Sequence, residues 1–333
     1  LEKKEIRKIF HLLKNKNSND ALKKQSNFLE SRTIKPFGYM FASLLRPGFE
    51  NIDSMQKSTA FSKGKELNAS YHAKLNSFGF RSDEFKKMHD QPHILFAGCS
   101  ETFGEGGELE DSWAYKTYLD LSGSIGSSGY FNIGFPGKGY QDIINLCMQY
   151  WNTHAKPDYI MIAFPSLLRK QSWIEKEDLS TENNLEEINF KSGYYMLMPQ
   201  RDKGETLSGR YRLTGSGIWH KNTYSVSKVR SDLIDFCLAV KLFEELCKEK
   251  KIKFLWTLLD TNDNFTLNEV KNNFKHSFVD RFNRSDVVNL IAENPSYTLE
   301  KSDGHLGTGY HQIISNNFLK VFKDKGWDKD AKK

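Results

Sequence analysis

Three stretches of this chain set a reactive side chain, or a candidate backbone donor, among glycines: "GCSETFG" at 98–104, "NIGFPGKG" at 132–139 and "DGHLGTGYH" at 303–311. Ser100 follows the apolar run Ile94–Ala97, so the end of a buried strand would present its hydroxyl to a cleft. Asp303 and His305 are two residues apart, and in an extended segment such positions face the same way. The carboxylate can then hold one ring nitrogen while the other stays free. Hydroxyl, imidazole and carboxylate are the parts of a nucleophile, base and orienter for acyl transfer. Gly137 N–H, in the glycine-rich second stretch, and Ser100 N–H are candidate donors to an oxyanion. Each stretch alone has an ordinary reading: a helix cap, a tight turn, a surface loop. Their conjunction suggests chemistry.

The elements that must position these residues are legible as alternating texture. "HILFAG" reads as a short buried strand, "SWAYKTYLDL" as a helix capped by Asp111 or Ser112, and "GYFNIG" as a second strand. "GYQDIINLCMQYWNTHA" reads as an amphipathic helix and "PDYIMIAF" as a third strand. A long helix is expected over 226–250, with Leu233, Phe236, Cys237, Val240, Phe243 and Cys247 at helical spacing. "KIKFLWTLL" follows as a fourth strand, "SDVVNLI" as a short fifth, and "GTGYHQIISNNFLKVF" as a terminal helix. Strands alternating with helices predict a parallel sheet covered on both faces. Sites on such sheets lie beyond the carboxyl ends of the strands. Residues 1–65 read as a helical and irregular extension, and residues 66–333 as the α/β domain. The polar, aromatic stretch at about 165–225 breaks the rhythm and reads as an insertion.

Composition narrows the function classes. The 333 residues are 38% hydrophobic and 27% charged, with a net charge of +6, the balance of a folded protein with no strongly charged surface. No run of 18 apolar residues predicts a membrane span, and residues 1–30 lack the apolar core of a signal peptide, which leaves the cytoplasm as the default compartment. Those first 30 residues carry eight Lys/Arg against four Asp/Glu and read as a basic amphipathic arm. No basic motif interleaved with aromatics suggests nucleic acid as a partner. Four scattered cysteines form no disulfide framework, and neither CxxC nor HExxH occurs to hold a metal.

The three blocks, in this order and on these elements, resemble the SGNH (GDSL-like) hydrolase family over roughly residues 75–325. "NSFGFRSDEF" at 76–85 is similar to an Asn-x-x-Gly-Phe-Arg segment that precedes the nucleophile strand in bacterial and phage members. The resemblance implies a three-layer α/β/α, flavodoxin-like sheet of about five parallel strands. It implies Ser100 as nucleophile, His305 as base, Asp303 as its partner, and Ser100 and Gly137 as oxyanion donors, with no cofactor or metal. Three departures stand out. Cys99 replaces the usual Asp. One residue, not two, separates Asp303 from His305. After the third strand the chain reads "FPSLLR" (164–169), where the family places an oxyanion-binding Asn; Ser166 and Arg169 are the candidates to substitute. The expected activity is therefore ester hydrolysis. Trp173, Tyr194, Tyr195, Tyr211, Trp219 and Tyr224 in the insertion suit a carbohydrate ester or another small-molecule ester, and equally suit a lid packed on the core. Two rival nucleophile arrangements are weaker. Cys99 is adjacent to Ser100 and would diverge from it, and an α/β-hydrolase elbow needs Gly at the position of Thr102. A third reading, from the missing Asn and the aromatic insertion, is a ligand-binding protein on the same fold without catalysis. His311 is expected to pack or hydrogen-bond rather than serve as a second base.

Overall fold

The computed structural model describes residues 76–86, 91–105, 107–127, 129–167, 169–174, 179–180, 193–201, 209–213, 219–224, 226–259, 270, 272, 274 and 306–330. The expected N-terminal extension, the expected fifth strand at 285–291, Asp303 and His305 lie outside the described residues.

In chain order the first elements are β1 (Ile94–Gly98), a one-turn helix α1 (Ser100–Phe103), α2 (Trp113–Ile125), β2 (Phe131–Asn132), α3 (Tyr140–Thr153) and β3 (Tyr159–Phe164). Five strands follow: β4 (Lys170–Ile174), β5 (Leu179–Ser180), β6 (Gly193–Arg201), β7 (Gly209–Leu213) and β8 (Trp219–Tyr224). The chain then forms α4 (Val226–Glu249), β9 (Lys253–Leu258), α5 (Thr308–Asp324) and α6 (Trp327–Asp330). Strands β2, β1, β3 and β9 pair in that order, all parallel.

Both faces of this sheet are covered, which is why its strands are mostly apolar rather than alternating. Ile94 and Phe96 of β1, Tyr159, Met161 and Ala163 of β3, and Leu255 of β9 share one core with Trp113, Leu121 and Ile125 of α2 and Ile314, Phe318 and Phe322 of α5. On the opposite face, Phe164 and Trp256 meet Phe236 of α4, Tyr140 of α3 packs on the same ring, and Phe243 meets Phe254. The result is an α/β/α sandwich.

The sequence expectation ends α2 at Leu121, but the helix runs a turn further. Leu121 and Ile125 both fill the core, and Gly126, in the left-handed conformation at φ 69°, stops it. Ser112 is the N-cap, its hydroxyl accepting the Tyr115 N–H. β2 is shorter than expected, yet its pairing with β1 outlasts the regular strand: Ile133 N–H donates to Phe96 O and Phe135 N–H to Gly98 O. The polar stretch expected as an insertion contains a second, antiparallel sheet in the order β4-β6-β7-β8-β5, with Trp173 opposite Tyr194 in the register.

Residues 76–86 cover the open edge of β2. Asp83 N–H donates to Tyr130 O, Asp83 Oδ2 accepts from Tyr130 N–H, and Ser82 Oγ accepts from Asn132 N–H. Backbone groups that an edge strand would leave unpaired are thereby satisfied. Asn76 folds this segment on itself, its Oδ1 accepting from Phe78 and Phe80 N–H.

Candidate active site

The chain enters the sheet at β1, turns to β2 on one side, and returns to β3 on the other. The order reverses between β1 and β3, and a crevice beyond the carboxyl ends opens at such a point. Ser100 stands there, two residues past the end of β1.

The turn that carries it is set by close approach. A Cβ on Gly98 would lie 1.9 Å from Thr102 Oγ1 and 2.7 Å from Ala163 O, so only glycine lets α1 fold back onto the strand end. Cys99 is the residue before the helix, and its carbonyl accepts the N–H groups of Thr102 and Phe103. Its thiol is buried, and burial raises its pKa; the Arg169 charge opposes this, as do hydrogen bonds from the Glu101 amide and the Ser100 hydroxyl. A neutral, enclosed thiol is a poor nucleophile. Ser100 is also largely enclosed, at 8% exposure. Beyond α1, Gly104 takes the left-handed conformation, and the buried Arg81 guanidinium donates through Nη1 to both Gly104 O (2.8 Å) and Gly107 O (2.9 Å).

The second loop is fastened to the first by Asn132. This fully buried side chain donates to Thr102 O (2.8 Å) and to Tyr130 Oη (2.8 Å), while its Oδ1 accepts the Gly134 N–H (2.7 Å). Gly134 packs so closely that a Cβ there would meet Phe103 N at 2.8 Å. Gly137 follows in the left-handed conformation at φ 78°, half-buried, in the turn before α3. The loop after β3 holds half-buried Ser166, whose carbonyl accepts the Arg169 N–H, and Arg169 itself. Arg169 Nε is buried and, among the described residues, finds no acceptor, and its charge reaches the Cys99 thiol.

The last loop reaches the same place. Leu306, covalently next to His305, donates its N–H to Glu101 Oε1 at 3.2 Å, and Glu101 is covalently next to Ser100. His311, on the first turns of α5, is fully buried; Nδ1 accepts the Trp113 N–H (3.1 Å) and Nε2 lies 3.5 Å from Glu101 Oε2. It acts as a structural residue, as expected, with no face open to a substrate.

The structure thus brings together the Ser100 turn, the Gly134 stem of the second loop, Arg169, and the chain that directly follows His305. It describes no contact between Ser100 and Gly137. Sequence reasoning missed three residues that hold the loops to one another: Arg81, Glu101 and Asn132. Each lies inside a quoted motif, but nothing in its type marks it as a fastener. Among the described residues no group of histidine, cysteine and acidic side chains is arranged to hold a metal, and no helix is long and apolar enough to cross a membrane.

No protein-family model matches the chain, and no curated protein matches it. It is similar to several solved structures, among them the following three. One, a proposed acylhydrolase from Bacteroides fragilis NCTC 9343, shares 12% identity at a TM-score of 0.36, over 83% of this chain and 99% of that one. Another, an acetyl xylan esterase from the rumen bacterium Butyrivibrio proteoclasticus, shares 13% identity at a TM-score of 0.36, over 72% and 66% of the two chains. The third is a proposed lipolytic protein of the G-D-S-L family from Desulfitobacterium hafniense DCB-2, with 13% identity and a TM-score of 0.34, over 68% and 98%.

Proposed function

We propose that the protein is a serine ester hydrolase of the SGNH type, with Ser100 as nucleophile, His305 as general base and Asp303 as the partner of His305. The observation that carries this reading is the hydrogen bond from Leu306 N–H to Glu101. It ties the residue after the candidate base to the residue after the candidate nucleophile, across more than two hundred positions of sequence.

In this mechanism Ser100 Oγ attacks the ester carbonyl carbon as His305 takes the hydroxyl proton. Asp303 holds the imidazole in the required tautomer and stabilises its cationic form. The tetrahedral oxyanion is received by Ser100 N–H and Gly137 N–H. Arg169, in the loop after β3 where the family carries Asn, supplies the third donor; Ser166, in the same loop, is the alternative. A donor of this kind contributes about 3 to 4 kcal/mol to the transition state. A guanidinium adds charge to the hydrogen bond. His305 then returns its proton to the leaving alcohol. Water, deprotonated by the same ring, attacks the acyl-enzyme and releases the acid.

The substrate we propose is an O-acetylated carbohydrate. The strands of the second sheet and the residues around them are rich in Trp and Tyr, from Trp173 to Tyr224, and flat aromatic rings suit sugar faces. The test is an ester panel: p-nitrophenyl acetate to octanoate, together with acetylated sugars, offered to wild type and to Ser100→Ala. Hydrolysis of the short esters that disappears in the variant supports the proposal. Equal turnover by the two proteins removes Ser100 from the mechanism. Sugar binding by calorimetry with no turnover of any ester replaces the hydrolase with a ligand-binding protein.

A further inference from the structure

We propose that Glu101 is a positioning residue: its carboxylate clasps the chain at Leu306 and so registers the loop that carries Asp303 and His305 on the Ser100 turn. The inference rests on the hydrolase reading above and adds to it a residue that no triad motif contains.

The clasp is built from four groups on three elements. Glu101 projects from α1 with its side chain only 13% exposed. One carboxylate oxygen, Oε1, accepts the Leu306 N–H at 3.2 Å; the other, Oε2, lies 3.5 Å from His311 Nε2. The far side of that imidazole is committed. Trp113 is the first residue of α2, and its N–H is one of those a helix start leaves without an intrahelical acceptor. His311 Nδ1 accepts it at 3.1 Å. A nitrogen that accepts carries no proton, so the neutral ring holds its proton on Nε2, the atom facing Glu101. The start of α2 thus dictates the tautomer, and the tautomer directs an N–H toward the carboxylate that holds the last loop.

A carboxylate in so enclosed a place is costly unless its oxygens are engaged. Ordinary packing has no need of it, since the α2 and α5 interface is already joined by the Thr117 and Ser315 hydroxyls at 3.0 Å and by Trp113 stacked on Phe318 at 4.8 Å. Immediately beyond Leu306, the Gly307 carbonyl accepts from Tyr310 and His311 N–H and begins α5. The chain leaving His305 is therefore fixed at its first peptide group by Glu101 and at its third by the helix. The Leu306 side chain also packs against the core beside α2 and α5, so the carboxylate sets the register of a segment otherwise held by apolar contact and by the helix.

Glu101→Ala and Glu101→Gln test this. The glutamine keeps an acceptor for Leu306 N–H but sets its NH2 against the His311 N–H, so it is expected between wild type and alanine. With p-nitrophenyl acetate, Glu101→Ala should lose kcat by up to about 100-fold, the effect of a displacement of about 1 Å at a reacting group, while KM stays close to wild type. Hydrogen exchange at the Leu306 amide should be fastest in Glu101→Ala and intermediate in Glu101→Gln. Unchanged kcat in an active, folded Glu101→Ala protein overturns the proposal, as does unchanged exchange at Leu306. If wild type itself turns over no ester, the hydrolase reading fails first and the catalytic role of the clasp with it; the exchange experiment still decides whether Glu101 holds the loop.

Discussion

Asn132 is the sharpest point at which to break the site's scaffold. It is fully buried, and its amide joins the first loop to the second through Thr102 O, Tyr130 Oη and Gly134 N–H at 2.7–2.8 Å. Asn132→Ala removes all three bonds. Tyr130 keeps a second partner in Ser112, but the Thr102 carbonyl and the Gly134 amide lose theirs in a place where water does not readily reach. Each orphaned backbone group costs about 1–3 kcal/mol, so the loss for the two is about 2–6 kcal/mol. For a domain of this size that corresponds to a fall in Tm of about 4–11 °C, at about 2.1 cal/mol/K of unfolding entropy per residue. Urea denaturation followed by tryptophan fluorescence reads the free energy, and calorimetry the midpoint. The control is Asn316→Ala on the exposed side of α5, expected within about 0.5 kcal/mol of wild type. Ester turnover measured well below the lowered midpoint should also fall, because α1 and the second loop are no longer held in register. An Asn132→Ala protein within 1 kcal/mol of wild type would refute the claim that this amide fastens the two loops.

Two further outcomes are expected. Burial keeps the Cys99 thiol protonated, so Cys99→Ala should hydrolyse esters much as wild type does, and iodoacetamide at pH 8 should label Cys99 only after denaturation, as read by peptide mass. The Tyr140 phenol is pushed up to about 12 by burial, helped by Asp235 and Asp232, whereas the unfolded phenol ionises near 10. The folded state therefore holds the proton through that interval, and the Tyr140 contribution to stability is present below about pH 10 and lost as pH rises toward 12. Midpoints measured from pH 9 to 11 should fall less steeply in Tyr140→Phe than in wild type, and parallel curves would contradict this.

The layered fold is legible in the sequence for a physical reason. β1, β3 and β9 are enclosed on both faces, so β1 and β3 each write an unbroken apolar run and β9 one interrupted by Thr257, and α2, α3, α4 and α5 each carry one apolar stripe. The second sheet is not legible in the same way. Its strands are rich in Tyr, Trp, Arg and Lys, and apart from Tyr194–Met198 of β6 they carry no hydrophobic run, so most of them lack the pattern that marks a buried strand. At the site, the reactive residue types are readable because serine, aspartate and histidine stand between glycines in the quoted stretches. The groups that hold them are not. Arg81 acts by reaching two carbonyls over twenty residues away, Glu101 by meeting an amide two hundred residues away, and Asn132 by bridging two turns. Such roles depend on three-dimensional proximity, which residue type and local spacing do not encode. His311 is partly legible: its helical position marks it as buried, but its service to the start of α2 emerges only from the fold.

The central claim is that the turn after β1 carries an activated hydroxyl. The direct measurement is reaction of the full chain with a fluorophosphonate, followed by intact mass and peptide mapping, on wild type, Ser100→Ala and His305→Ala. A single adduct mapped to Ser100 in wild type, absent from Ser100→Ala and strongly slowed in His305→Ala, is the result the account predicts. Wild-type protein that stays unmodified, or an adduct that persists in Ser100→Ala, would contradict it.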